Sequence, residues 1–395
     1  MQYARDPKMM IEPKVSAKYC GWALGLMSGM SLDGIDAALI RTDGARVLEL
    51  GPTYFKPFDP MLRENLLSIL GAMPDDPHVI PIVREYTQAN IEVVQTLLAT
   101  SGLKPGDITI IGFHGQALWH KSRRVYGVGD TCQVGDASYL ARTTGVNVVH
   151  QFRLADIAAG GEGAPLVPIY HQTLMEKHPE PVMCINIGGI ANITWIGADM
   201  MEGGHRDMMA FDVGPGNTLI DQWIMSKLSQ PCDKGGALAM KGSVDAPILE
   251  LLIAQSNFDQ PPPKSFDRLN FSISAASSLS AEDGAATLTQ LTVEGIVSAA
   301  KYVPNIPKTW VLMGGGRHNL AIVRALQTRL TTLAGPEVLV KTAEQMGLRG
   351  DFIEAEAFAY LAMRHLNGLP TSFPSTTGVS VPTCGGQLIA LAMDS

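Results

Sequence analysis

The sequence lacks the features of an exported, membrane-embedded or disulfide-bonded protein. It contains no run of about 18 uncharged apolar residues, the length that a membrane-spanning helix needs. Residues 1–20 hold no continuous apolar stretch like that of a secretion signal. The five cysteines are odd in number, lie far apart and form no CxxC pair. This usage favours reduced thiols over a disulfide framework or a zinc site. We therefore expect a cytoplasmic protein with no membrane partner.

The sequence also lacks an excess of basic residues and the commonest nucleotide-binding motifs. Its 30 Lys and Arg are outnumbered by 38 Asp and Glu, which gives a formal net charge of −8. Nucleic acid is therefore not expected as a partner, because its phosphate backbone is bound by basic surfaces. The chain has no GxxxxGKS, GxxxxGKT or GxGxxG segment, which excludes a P-loop and a dinucleotide fingerprint. A bound nucleotide would have to rest on other glycine turns, whose backbone N–H groups can hold phosphate.

The apolar content is sufficient for about two domains. The 395 residues are 46% hydrophobic and 17% charged, which is typical of a globular chain. Twice, a strand-like run leads through a glycine turn into a second strand, starting at 21–27 and at 182–187. Helices and strands then alternate; we predict helices near 80–101, 285–303 and 352–366, and further strands at 108–113, 146–149, 208–212, 309–313 and 338–340. This internal duplication predicts an α/β protein with two related domains facing each other across a cleft.

Three glycine-rich turns follow strands, at 28–34, 187–192 and 314–316. Glycine lets the main chain approach a ligand closely, and successive N–H groups there can bind an anion. Each turn alone could simply reverse the chain. Because all three stand at strand ends beside polar or acidic residues, we predict that they bind nucleotide phosphate.

Asp212 is the strongest candidate for catalysis. It ends an apolar strand and precedes Gly214-Pro215-Gly216, a setting that suits a general base acting on water or a hydroxyl group. The alternative is an Asx turn with its own backbone. Asp33 and Asp36 on the opening hairpin could approach a magnesium–phosphate group through water, although Asp33 could equally be a turn-forming residue.

Four further polar residues are candidates for substrate contact. Arg153 could pair with an acidic substrate group or with the transferring phosphate, or else form a structural ion pair with Asp156. His114 and Gln116 end a strand and could bind sugar hydroxyl groups, the alternative for His114 being a hydrogen-bonded core position. Glu354 opens the last long helix, where an acidic residue also compensates the helix dipole.

The chain resembles the anhydro-N-acetylmuramic acid kinases in nine segments that run from about residue 24 to about residue 365. They are LGLMSGMSLDGIDAALI, GFHGQ, FRLADIAAGGEGAPLVP, INIGGIANIT, FDVGPGNTLIDQW, DKGGALAMKG, PPPKS, MGGGRHN and EAEAFAYLA. The resemblance implies the fold of the actin, sugar-kinase and Hsp70 group, with two ribonuclease-H-like domains around a nucleotide cleft. It also implies a reaction in which the 1,6-anhydro bond of 1,6-anhydro-N-acetylmuramic acid is hydrolysed and O6 is phosphorylated. The products are N-acetylmuramic acid 6-phosphate and ADP, in the recycling of cell-wall peptidoglycan.

Residue roles follow from the same resemblance. Asp212 becomes the base that activates water for attack on the anomeric carbon, while Arg153 and Glu354 orient the sugar or the transferring group. His114 and Gln116 remain predicted substrate contacts. The residues implied in ATP binding are Gly29, Met30, Ser31, Leu32, Asp33, Gly34, Ile35, Asp36, Gly188, Gly189, Gly314, Gly315 and Gly316. Mg²⁺ is expected with the ATP phosphates, held through water and without direct protein ligands, and the family implies a homodimer.

The predicted domain limits follow the duplication. We assign residues 1–19 to an N-terminal extension, residues 20–165 plus 367–395 to domain I, and residues 166–366 to domain II. Two rival functions stay open from the residues: another sugar kinase of the same fold, and a non-catalytic ATP-binding protein of the actin and Hsp70 type.

The sequence departs from the family pattern in three places. Met30 stands where a threonine is common, Ala117 replaces a usual threonine, and Phe266-Asp267 replaces a usual Thr-Gly. Loss of the hydroxyl group at position 30 leaves phosphate binding in that turn to the backbone.

Overall fold

The computed structural model of the chain describes residues 18–29, 31–200, 205–266 and 270–391. Nearly all of the predicted extension at residues 1–19, together with Met30 and Asp267, lies outside the described residues. The strands are β1 (Gly21–Met27), β2 (Gly34–Thr42), β3 (Val47–Pro57), β4 (Ile108–Phe113), β5 (Gln116–Lys121), β6 (Asp130–Val134), β7 (Val148–His150), β8 (Val182–Ile187), β9 (Ile190–Met200), β10 (Arg206–Pro215), β11 (Thr309–Met313), β12 (Leu339–Thr342) and β13 (Gln387–Ile389).

The helices are α1 (Pro60–Ser68), α2 (Val79–Ser101), α3 (Arg123–Tyr126), α4 (Ala137–Thr144), α5 (Leu154–Ala158), α6 (Pro168–Leu174), α7 (Thr218–Leu228), α8 (Ala246–Gln255), α9 (Ala281–Ser298), α10 (Leu320–Ala334), α11 (Ile353–Leu366) and α12 (Pro374–Thr377). Among the described residues, no helix is both long enough and apolar enough to cross a membrane. The five cysteines are all free thiols.

Two sheets share one topology. The first has the strand order β13-β7-β4-β1-β2-β3 and the second has the order β10-β9-β8-β11-β12. In each sheet, the first strand of the unit has an antiparallel neighbour on one side and a parallel neighbour on the other. Strand β1 is antiparallel to β2 and parallel to β4. Strand β8 is antiparallel to β9 and parallel to β11. The predicted α/β class and the duplication of two ribonuclease-H-like units are confirmed. A separate ribbon of β5 and β6 joins the first unit.

Local sequence signals account for most element bounds. The predicted strands at 21–27, 108–113, 182–187 and 309–313 are confirmed residue for residue. Helix α2 ends at Gly102, which has φ of 74°, the left-handed conformation that glycine adopts without strain. Helix α9 begins at 281, earlier than the predicted 285, because the Ser280 hydroxyl accepts a hydrogen bond from the Asp283 N–H.

Helix α11 lies directly on the first sheet. Gly25 on β1 and Gly112 on β4 are paired in register. A Cβ at Gly25 would lie 1.8 Å from the Ala355 carbonyl oxygen, and a Cβ at Gly112 would lie 2.0 Å from that of Phe358. The missing side chains let the helix backbone approach the strands. We therefore propose that domain I also includes α11, in place of the predicted boundary after residue 366. The pairing of β13 with β7 supports the assignment of residues 367–395 to the same domain.

A shared hydrophobic layer joins the two units. It combines residues of the first sheet, such as Ala23 and Ile110, with residues of the second, such as Cys184 and Val311, around α6 and α11. The N-terminus of α11 consequently stands where the two sheets meet, and the polar residues at that end face both units.

Candidate active site

The first glycine turn connects β1 to β2 and exposes its main chain. The Leu32 N–H donates to the Gly29 carbonyl at 3.2 Å, and the Ser31 hydroxyl donates to the Asp33 carboxylate at 2.8 Å. Ser31 and Asp33 are exposed and Gly29 is half-buried, whereas the Leu32 side chain lies in the core. A ligand at this turn would therefore meet backbone groups and two short polar side chains.

The later residues of the predicted phosphate segment belong to strand β2. Gly34 is paired with Pro57, and a Cβ there would collide with the Lys56 carbonyl. The Ile35 side chain is fully buried in the core. Both residues shape the turn from behind, so any contact of theirs with ATP would come from the backbone.

Asp36 stands in a group of carboxylates. Burial and like-charge repulsion from Asp33, Glu354 and Asp351 together raise its pKa to about 8. Carboxylates that repel one another in this way suit a divalent cation brought in with a nucleotide. Among the described residues, no group of three or more Asp, Glu, His or Cys is arranged to hold a metal ion directly. The donor set thus fits Mg²⁺ held through water.

The second glycine turn supports the start of α7. The Gly189 carbonyl accepts from the Gly216 N–H at 2.8 Å, and the Gly188 carbonyl accepts from the Asn217 N–H at 2.8 Å. Asn217 occupies the N-cap position of α7 but forms no side-chain cap bond. Its side-chain amide donates to the Ile187 carbonyl at 3.2 Å, which ties the start of α7 to the second glycine turn.

The third glycine turn lies beside the second. Gly314 has φ of 70°, and a Cβ there would lie 2.4 Å from Asn186 Oδ1. A Cβ at Gly316 would lie 2.2 Å from the Ile187 side chain, whereas Gly315 is exposed and has open space around it. The structure therefore brings the second and third predicted turns to the same edge of the second sheet.

Asp212 lies near the end of β10 and is held by a neighbouring loop. Its Oδ2 accepts from the Phe266 N–H at 2.8 Å and from the Ser265 hydroxyl at 3.2 Å. Its own N–H donates to the Lys264 carbonyl at 3.1 Å. Because its partners come from this loop, the carboxylate does not form the alternative Asx turn with its own backbone. Asp212 is only 8% exposed.

Opposing effects determine the charge of Asp212. Burial raises its pKa, the two hydrogen bonds and the cations Arg153 and Lys264 lower it, and the net effect is a rise from 3.8 to about 6. The result is a carboxylate that is mostly ionised at neutral pH and titrates close to it. Such a group suits general-base catalysis.

Arg153 is held so that it acts on both Asp212 and Glu354. Its Nη1 donates to the Gly163 carbonyl at 2.9 Å and its Nη2 to His114 Nε2 at 3.2 Å. Burial lowers its pKa, and the negative charges of Glu354 and Asp212 raise it. The alternative of a direct ion pair with Asp156 is not formed.

Asp156 has other partners. It accepts from the Gly163 N–H at 2.6 Å and from the Thr377 hydroxyl at 2.5 Å. These bonds fix the Gly163 loop, whose carbonyl in turn holds Arg153, so Asp156 supports Arg153 indirectly.

His114 uses both ring nitrogens within the protein. Nε2 faces Arg153, and Nδ1 bonds to the Gly115 carbonyl at 2.8 Å. Burial and the charge of Arg153 lower its pKa to about 3, so the ring is neutral, donates from Nδ1 and accepts at Nε2. This corresponds to the hydrogen-bonded core alternative, and His114 acts on the site through Arg153.

Gln116 lies against the first glycine turn. Its side chain is fully buried, and its amide nitrogen approaches the Gly29 carbonyl at 3.5 Å and that of Ala117 at 3.4 Å. This position supports the backbone of the turn.

Glu354 joins the two sides of the site. It lies in the first turn of α11, and its Oε1 accepts from the Asn186 amide at 3.0 Å. Burial raises its pKa, while Arg153 and the Asn186 amide lower it. Glu354 thereby connects α11 to the edge that carries the second and third turns.

Sequence reasoning missed three groups at this site: the Asn186 side chain, the Lys264 ammonium, and the Ser265–Phe266 donors. Asn186 could have been found as the one polar residue near the end of the apolar strand VMCINI. Lys264 donates to the Phe258 carbonyl at 2.8 Å, and burial lowers its pKa to about 8. No local pattern could show that the PPPKS segment meets Asp212, because 53 positions separate Ser265 from Asp212.

Comparison with known proteins gives one consistent result. A family model described as anhydro-N-acetylmuramic acid kinase matches residues 21–390. A curated relative of that name from Gluconobacter oxydans is 45% identical over 376 residues, covering 93% of this chain and 99% of its own. Another, from Rhodospirillum rubrum, is 44% identical over 367 residues, covering 92% and 93%.

Similarity to solved structures is more distant. Component A of (R)-2-hydroxyglutaryl-CoA dehydratase from Acidaminococcus fermentans is 14% identical with a TM-score of 0.41, covering 88% of this chain and 99% of its own. A ROK family glucokinase from Streptomyces griseus, in complex with glucose and AMPPNP, is 14% identical with a TM-score of 0.38, covering 87% and 100%.

Proposed function

The chain belongs to the anhydro-N-acetylmuramic acid kinase family, and on this basis we infer that it phosphorylates 1,6-anhydro-N-acetylmuramic acid with ATP. It opens the 1,6-anhydro ring and places the phosphoryl group on O6, giving N-acetylmuramic acid 6-phosphate and ADP. This is a step in the recycling of cell-wall sugars. The observation that carries the proposal is the buried Asp212 carboxylate, with a pKa near 6, facing Arg153 in a site bordered by three glycine turns.

We propose that Asp212 is the general base. It takes a proton from water as the water oxygen bonds to the anomeric carbon and the bond from that carbon to O6 breaks. The released O6 then attacks the γ-phosphorus, the bond to the β-phosphate oxygen breaks, and ADP leaves. The proton on Asp212 finally passes to solvent. Positioning and charge stabilisation supply most of the rate enhancement in phosphoryl transfer.

We propose that the three glycine turns hold ATP. The first turn offers exposed backbone and the Ser31 hydroxyl to the phosphates, and the exposed Gly315 borders the adenosine. Gly188 and Gly189 complete the nucleotide side. Mg²⁺ would be held through water by Asp33 and Asp36, and when bound it would neutralise phosphate charge.

Arg153 and Glu354 are proposed to orient the sugar and the transferring group. His114 holds the Arg153 guanidinium in a fixed direction, and Asn186 does the same for the Glu354 carboxylate. We also propose that the protein works in the cytoplasm, where free thiols persist, and as a homodimer. Size-exclusion chromatography with light scattering tests the dimer.

An isotope experiment tests the coupled reaction. The product made from the anhydro-sugar and ATP in ¹⁸O-water is expected to carry one label at the anomeric oxygen and an unlabelled phosphate on O6, read by mass spectrometry. Phosphorylation without the anomeric label, or a preference for ordinary hexoses in an ATP-consumption assay, would contradict the proposal.

The Asp212→Asn variant tests the base. We expect turnover to fall by about 10²–10⁴-fold while ATP still binds, as measured by calorimetry. Asp207→Asn is the matched control, since Asp207 is a half-buried carboxylate near the start of the same strand, roughly 16 Å before Asp212. Equal activity in the two variants would remove Asp212 from the mechanism.

A further inference from the structure

Two hydrogen bonds from Arg124 to a loop beside Asp212, which we call the clasp, join the two domains. Arg124 lies on α3, in the connection between β5 and β6 of domain I. Its Nη1 donates to the carbonyl of Pro263 at 3.0 Å and also to that of Pro261. Both carbonyls belong to the loop at 261–266 in domain II, so the two bonds bridge the domains.

The residues directly after Pro263 surround Asp212. The Lys264 carbonyl accepts from the Asp212 N–H, and the Ser265 hydroxyl and the Phe266 N–H donate to the carboxylate. The clasp therefore holds the chain one residue before the first of these contacts. A shift of this loop would move all three contacts together.

The domain I end of the clasp is itself anchored. Ser122, which precedes α3, donates from its hydroxyl to the Glu162 carboxylate at 2.6 Å, and both groups are buried. Glu162 is the residue before Gly163, whose carbonyl holds Arg153. Arg124 thus connects the segment that fixes Arg153 to the loop that fixes Asp212.

We propose that Arg124 is a positioning residue for the reaction, which sets the direction of the Asp212 carboxylate by holding the loop at 261–266 from the opposite domain. The inference rests on the proposed role of Asp212 as the base. Arg124 itself does not touch the reacting atoms.

Loss of the clasp has a defined electrostatic consequence. The Phe266 and Ser265 bonds stabilise the ionised carboxylate and lower its pKa, as do the facing charges of Arg153 and Lys264. When the loop is released, the two donors leave their geometry and the carboxylate becomes harder to ionise. The acidic limb of the pH–rate profile should then move to higher pH.

The test compares Arg124→Ala, Arg124→Lys and the neighbouring Arg123→Ala in the full chain. For Arg124→Ala we expect kcat to fall on the order of 10-fold to 100-fold, as for other misplaced catalytic groups. We also expect the acidic limb of the pH profile of kcat/KM to move to higher pH. The KM for ATP should stay within about twofold, because the glycine turns are untouched. Arg124→Lys should recover most of the activity, since an ammonium group can also donate to the carbonyls.

Arg123→Ala is the control because the Arg123 guanidinium donates to the Ile157 carbonyl of its own domain, at 3.4 Å, and not to the loop at 261–266. A thermal melt and ATP binding equal to those of the unchanged chain show that each variant is folded. The proposal is overturned if Arg124→Ala behaves like Arg123→Ala, or if kcat falls while the acidic limb stays in place. Failure of the base itself would appear separately, as full activity of Asp212→Asn.

Discussion

At the scale of single residues, Asp212 combines a buried position with a charge that the reaction needs. Burial disfavours its ionised form, and two hydrogen bonds with two facing cations only partly offset that effect. A more exposed carboxylate would be a weaker base at neutral pH, because its pKa would stay near 4. The location of the residue thus produces its chemistry.

The pH dependence of the reaction follows from that pKa. The pKa of Asp212 is raised to about 6, so the base is present above pH 6 and is lost as the pH falls through this value. We expect kcat/KM to decline below about pH 6, measured at saturating ATP. An acidic limb near pH 4 would show that a carboxylate with an ordinary pKa is the base.

The same shift predicts a stability effect. A carboxyl group whose pKa is higher in the folded chain than in the unfolded one destabilises the fold at neutral pH, and this effect disappears below pH 3.8. Asp212→Asn removes the buried charge and keeps an acceptor oxygen for Phe266 and Ser265. We expect its melting temperature at pH 7.5 to equal or exceed that of the unchanged chain. A clear fall would mean that the ionised carboxylate stabilises this fold.

At the scale of elements, the contact between α11 and the first sheet positions Glu354. The helix backbone rests on Gly25 and Gly112, where any side chain would meet backbone atoms within about 2 Å. Because Glu354 lies in the first turn of this helix, its position depends on how closely α11 approaches β1 and β4.

Gly25→Ala tests this dependence. The added Cβ would lie 1.8 Å from the Ala355 carbonyl, so the helix must move, and we expect a loss of about 1–3 kcal/mol or more in the free energy of unfolding. Turnover should fall as well, because Glu354 shifts. Gly106→Ala is the control, since a Cβ there has nothing within 4 Å. Equal denaturation midpoints in urea for the two variants would contradict the account of α11 packing.

At the scale of the whole molecule, a buried polar network connects the two domains. Glu356 on α11 accepts from the Tyr170 hydroxyl at 2.6 Å and from Arg349 Nε at 2.6 Å. Tyr170 lies on α6 of domain II, and Arg349 also donates to the Gly51 carbonyl on β3. Glu356 is only 1% exposed, and burial raises its pKa, while the Tyr170 hydroxyl and Arg349 lower it.

Glu356→Gln should weaken the junction between the domains. Removing the carboxylate leaves the Tyr170 hydroxyl and the partly exposed Arg349 guanidinium without their charged partner, and we expect a loss of about 1–3 kcal/mol in the free energy of unfolding. Glu337→Gln is the contrast, because its ion pair with Lys308 is exposed on both sides, and it should leave the unfolding free energy unchanged. Similar denaturation curves for the two variants would show that the network does not stabilise the junction.

Local patterns in the amino-acid sequence account for most elements and for the class of the fold. Strand and helix patterns, glycine turns and the repeated hairpin depend on neighbouring residues, so 21–27, 108–113, 182–187 and 309–313 could be read directly. The candidate base at Asp212 could also be named, because a strand end before a rigid turn is a local feature. The family resemblance then pointed to the reaction.

Which residues meet depends on how the elements pack against one another. The Asn186–Glu354 bond joins positions 168 residues apart and the Arg124–Pro263 bond joins positions 139 apart, separations over which no periodicity in the sequence extends. The assignment of α11 to domain I likewise depends on the two glycines beneath it. The burial of His114, whose ring nitrogens meet the Gly115 carbonyl and Arg153, is also a property of packing, and a local sequence pattern does not contain it.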